Sequence, residues 1–143
     1  MTAEDLLNSL FQEVPEIREA VDMMLHAYSV NLSEGRFPVW EYGVMEVVKF
    51  LLEESSTYCQ PLTRVFAFFE KMASGDEDTR NFFLVATMDY FYEHQNLLSI
   101  ANKFMGPSTK AAWQAWYQFQ KDSLLFELSQ LYSDKELEAM KQM

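Results

Sequence analysis

The chain has 143 residues, 22 of them acidic and 11 basic, for a formal charge of −11, with 49% apolar and 15% aromatic content. That apolar content argues against disorder, and four glycines and four prolines are few for an all-β chain. The negative field repels phosphate backbones and so disfavours nucleic-acid binding, while the single cysteine, Cys59, excludes an intrachain disulfide.

The opening MTAEDLLNSL lacks the basic and apolar regions of a signal peptide, and no apolar run approaches the roughly 18 residues of a membrane span. The expected setting is cytoplasmic and reducing, with no membrane association.

Residues 3–13 predict a short amphipathic helix with Leu6, Leu7, Leu10 and Phe11 on one side. Pro15 suits a first helical turn, and the next stripe, Ile17, Ala20, Val21, Met24, Leu25, Tyr28 and Leu32, predicts a helix to about Leu32. Ser33-Glu34-Gly35 ends it. Arg36 to Gly43 reads as a connector whose aromatics, Phe37, Trp40 and Tyr42, plug the end of a bundle. Helix resumes over Val44 to Glu54, with Val44, Val47, Val48, Leu51 and Leu52 inward and Glu46, Lys49, Glu53 and Glu54 outward.

The stretch from Pro61 to His94 is the centre of the expected fold. Leu62, Val65, Phe66, Phe69, Met72 and Ala73 form a stripe for burial, and Gly75 supplies a left-handed C-terminal cap. Asp76 caps a second helix, in which FFLVATMDYFY (82–92) has only Thr87 and Asp89 as clearly polar side chains. A helix apolar all round belongs in a core, so residues 79–93 are expected at the middle. Leu97 to Phe104 predicts a shorter helix, closed by Gly106 in a left-handed cap. The last long helix runs from Thr109 to about Tyr132, with Ala112, Trp113, Trp116, Phe119, Leu124, Leu128 and Leu131 as its expected buried face. Ser133-x-x-Glu136 fits a capping box for a terminal helix. The fold class is therefore all-α, a single-domain bundle of six to eight helices.

Chemistry is sparse. Neither His26 nor His94 has the glutamate three residues before it that a helical-bundle metal site uses, and one cysteine with two histidines falls short of structural zinc. No Gly-rich phosphate loop or nucleophile elbow occurs, and Cys59, after a Ser/Thr-rich break, reads as an inert thiol. The expectation is a non-enzyme with no metal and no cofactor. Asp89 is the candidate buried acid: a carboxylate in an apolar helix is costly unless paired or hydrogen-bonded, so it is expected to point into a groove or to pair with a nearby base, Arg80 and Lys103 being the candidate partners.

Charge is the remaining signal. Residues 1–60 carry 11 acids against 3 bases, −8 of the total −11. Glu41, Glu46, Glu53 and Glu54 fall on or beside one helix and form the candidate surface for a basic protein partner. The competing reading is a structural or oligomerising helical protein whose acidity serves solubility alone.

A Phe37-Pro38 segment entering a helix, then VFAFFEKMASGDEDTRNFFLVATMDYFY, then IANKFMGPSTKAAWQAW, resembles a family of small bacterial helical proteins of unknown function. Some of its members look like immunity proteins of polymorphic toxin systems. The resemblance spans Glu13 to Tyr117 and rests on turn and cap motifs, Met72 to Asp78 and Met105 to Lys110. It implies an immunity-type inhibitor, and an acid near the end of the central helix to which Asp89 or Glu93 corresponds. The segment after Phe119 lies beyond it.

Overall fold

A computed structural model describes residues 1–142, and they are helical throughout, without a strand. In chain order the helices are α1 (Ala3–Glu13), α2 (Arg18–Ala27), α3 (36–53), α4 (Cys59–Ala73), α5 (77–93), α6 (Leu98–Ala101), α7 (Pro107–Leu131) and α8 (Asp134–Lys141). The all-α bundle expected from periodicity is what forms. None of these helices is long and apolar enough to cross a membrane.

Local chemistry sets the helix starts. Thr2 Oγ1 accepts from the Asp5 amide at 3.1 Å while Asp5 Oδ2 accepts from the Thr2 amide at 3.4 Å, a reciprocal cap for α1. Asp76 Oδ1 accepts from the Thr79 amide at 2.8 Å, and Ser133 and Glu136 form the expected capping box. Helix α2 ends five residues before Leu32, because Ser29 adopts φ 56. Gly75 takes no positive φ, so the α4 terminus closes without the left-handed cap predicted for it.

Two helices are locally widened. Trp40–Met45 within α3 and Leu84–Met88 within α5 are π segments, in which each amide bonds five residues back. The supposed connector at 36–43 is thus the first half of a continuous helix. Trp40 is fully buried there, whereas Phe37 and Tyr42 are largely exposed. The indole Nε1–H of Trp40 donates to Thr87 Oγ1 at 2.9 Å, joining the two π segments inside the core. A buried indole and a buried hydroxyl satisfy each other, so the hydrogen bond offsets the cost of taking both from water.

Around that link the core is aromatic. Trp40 lies 6.1 Å from Phe69 and 5.9 Å from Phe82, and Phe69 continues to Phe83 at 5.6 Å and to Phe66 at 5.0 Å. Helix α4 contributes most densely, burying Leu62, Val65, Phe66, Phe68, Phe69 and Met72. Helix α5 buries Phe82, Phe83, Thr87, Met88, Tyr90 and Phe91, but Val85 stands 48% exposed. The apolar helix is therefore one wall of the core and has an outward stripe, Asn81, Val85, Asp89 and Glu93, at four-residue spacing. Ion pairs Arg64–Glu16, Lys71–Glu13 and Arg36–Asp78 join α4, α3 and α5 to their neighbours across the surface.

Gly106 is not left-handed: φ −81 and ψ 179 make it the extended residue before α7. Its role is close approach. Glu70 of α4 reaches the α7 N-terminus and accepts from the Ser108 amide (2.6 Å), the Thr109 amide (2.9 Å) and Thr109 Oγ1 (2.8 Å). A Cβ at Gly106 would sit 2.6 Å from that carboxylate. Burial raises the Glu70 pKa, but the hydrogen bonds from Thr109 and Ser108 outweigh it and hold the carboxyl below its usual range.

Beyond Gln118, α7 leaves the core. Trp113 is buried, but Phe119, Leu124 and Leu131, expected on the same buried face, are exposed. Periodicity marks a face for burial without saying what buries it.

Candidate functional site

The acidic surface is built where α2 and α3 pack side by side. Gly43 makes that approach possible: a Cβ there would stand 2.9 Å from Leu25 Cδ2 and 3.2 Å from Val21 Cγ1. The same π segment sets the register of the acids. Residues five apart lie about 140° apart on an α-helix but about one turn apart where amides bond five back, so Glu41 and Glu46 come to one side. Glu53, seven beyond Glu46 in regular helix, continues the line. Glu54 does not join them, because it is the non-helical C-terminal cap of α3 at φ −115 and ψ 40. Glu46 is half-buried instead of fully exposed, while Glu41, Glu53 and Glu54 are exposed.

Between the helices lies an apolar groove of about 340 Å³, floored by Ala20, Met24 and Val47 and edged by Glu46 and Glu53. Met23 (64% exposed) and Phe50 (53% exposed) stand open in it. Phe50 is steadied by the Tyr58 ring at 5.6 Å. Polar edges around accessible aromatic and methionine side chains are the make-up of a protein-recognition surface.

A second hollow of about 180 Å³ opens between α3 and α5, where Glu41, Asp89 and Glu93 converge over Phe37, Val85 and Tyr90. Asp89 is therefore not a buried acid; it points into a groove, the first of the two expectations for it, and does not pair with a base. It is half-buried on the outward stripe of α5, where no hydrogen bond or ion pair reaches it among the described residues, and neither Arg80 nor Lys103 is its partner.

Tyr90 lines the second hollow. Its ring stacks on His94 at 4.1 Å, and its buried hydroxyl has no hydrogen-bond partner among the described residues. Burial pushes that phenol well above its usual range, and the nearby Glu46, Tyr28, Glu41 and Glu53 push in the same direction. Three of the four acids singled out from sequence thus bear on one point. Lys49 is the one basic side chain lining either hollow among the described residues.

No catalytic pairing accompanies this surface. Cys59 is exposed at the start of α4, and no histidine is hydrogen-bonded to it among the described residues. His94 Nδ1 lies 2.9 Å from the Tyr90 carbonyl oxygen, which can only accept, so that nitrogen carries its proton inward. A hollow of about 530 Å³ between α1 and α2 holds Arg18, Asp22 and His26, yet no hydrogen bond joins them among the described residues. Among the described residues no group of three or more His, Cys, Asp or Glu side chains is placed to hold a metal ion.

Residue spacing did not point to Glu93, which only the resemblance named, and Met23 and Phe50 were missed altogether. The available signal was Phe50 itself, an aromatic amid the outward-facing charges of its helix. Comparisons of the chain with protein-family models, with curated proteins and with solved structures return no match.

Proposed function

We propose that the protein is a non-enzymatic binding module that captures a basic protein partner, in the manner of an immunity-type inhibitor. The observation that carries this reading is the groove between α2 and α3, where exposed Met23 and Phe50 lie between Glu46 and Glu53. The occupant that fits is an amphipathic helix, its apolar side on Phe50 and Met23 and its lysines or arginines over the carboxylates. Glu41, Asp89 and Glu93 extend the negative field along the same side, which speeds encounter with a basic surface and discriminates against acidic ones.

The test is capture of the basic product of the neighbouring reading frame, or of a basic protein retained from the native host, by wild-type and altered chains. Charge reversal at Glu41, Glu46 and Glu53 to Lys slows association and flattens its salt dependence, while Phe50→Ala mainly raises the dissociation rate. Association of the reversed chain at the wild-type rate, at both low and moderate salt, would exclude this surface.

A further inference from the structure

The distal part of α7 and all of α8 form a helical hairpin outside the bundle. Tyr132 and Ser133 are extended, and α8 turns back so that Leu125 and Leu128 share a groove of about 480 Å³ with Leu137 and Met140. Leu124, Leu128 and Leu131 lie at i, i+4 and i+7, so they form one seam beside Leu125. That seam is bare: Leu124, Leu125 and Leu131 are 54%, 58% and 74% exposed, and Met140 is 45% exposed. We infer that this hairpin pairs with the same hairpin of a second copy, closing a two-fold four-helix bundle.

Two arguments select a second copy as the occupant. A two-helix hairpin with an open apolar seam is half of a four-helix bundle, and a two-fold axis supplies the identical other half. The area also fits. At roughly 200 Å² per large side chain, the seam offers on the order of 500 Å² of apolar surface per copy. Interfaces are about 60% apolar, so the full contact reaches about 800 Å² per partner, the size of a standard stable interface.

Sedimentation velocity of the full chain across a concentration series tests this. The expected result is a species of twice the chain mass that Leu124→Glu with Leu131→Glu dissociates, weakening pairing on the order of 100-fold or more with the helical circular dichroism signal retained. A wild-type chain that stays monomeric up to its solubility limit overturns the inference. So does a dimer that survives the double change, or a species that grows beyond twice the chain mass. A second measurement covers loss of fold in that variant: with Cys59→Ser in place, Leu128→Cys puts a thiol mid-seam, nearest the two-fold axis. Under oxidation it forms a disulfide-linked dimer if the seams meet, and its failure to do so at concentrations where the dimer sediments excludes this seam.

Discussion

If Glu70 clamps the start of α7, then Gly106 and Glu70 are energetically coupled, and a double-mutant cycle measures it. Glu70→Ala removes three hydrogen bonds and leaves the Ser108 and Thr109 amides without their carboxylate. Loss of a helix cap costs about 0.5–2 kcal/mol, and removal of a negative charge from a helix N-terminus about 0.3–1. Water reaches this half-buried site and recovers part of that, so about 2 kcal/mol is expected, or roughly 4–8 °C in Tm for a chain of this size. Gly106→Ala places a methyl group 2.6 Å from the Glu70 carboxylate and forces it off its donors. It should therefore cost about 1–2 kcal/mol in the wild-type chain and only a few tenths once Glu70 is alanine. The pH dependence has a defined sign. An ordinary glutamate titrates near 4.5 and folded Glu70 below that, so the clamp contributes fully above about pH 4.5 and is lost as pH falls through the folded value. Glu70→Gln should accordingly flatten the acid limb of stability. Urea unfolding followed by circular dichroism, at neutral pH and again below 4.5, reads all four chains of the cycle. Additive costs at neutral pH would refute the argument, because they would place the Gly106 requirement in its own backbone.

Thr87→Val keeps the shape of the buried side chain but removes the acceptor of the Trp40 indole, and should cost about 1–3 kcal/mol in urea unfolding; a smaller loss on Thr87→Ser, which keeps the hydroxyl, is the control. Tyr90→Phe removes a buried hydroxyl that has no partner among the described residues, so stability should stay level or rise by up to about 1 kcal/mol, the opposite of the usual sign for a core truncation. Phe83→Ala, at a fully buried site, should cost about 3–5 kcal/mol, whereas Val85→Ala on the same helix should cost little, and equal midpoints for the two would contradict the outward stripe on α5.

What the sequence determined by itself is local or periodic. The cap chemistry at Thr2, Asp76 and Ser133 acts within four residues, and the stripes of α1 and α4 repeat with the helix, so both are legible along the chain. The clustering of Glu41, Glu46 and Glu53 was half legible: regular spacing relates 46 to 53, but 41 joins them only through a π segment, which no pattern of apolar residues announces. Tertiary structure alone decided the rest. Glu70 and Ser108 are far apart in sequence, as are Trp40 and Thr87, and the partner of a polar group depends on which helices meet. Gly106 shows the limit most clearly. A glycine between two helices reads as a φ requirement, yet here it answers to a carboxylate arriving from another helix. The seam of α7 shows it from the other side: apolar spacing states that a face is to be covered, and only the packed bundle reveals that its own helices leave Leu124 and Leu131 bare.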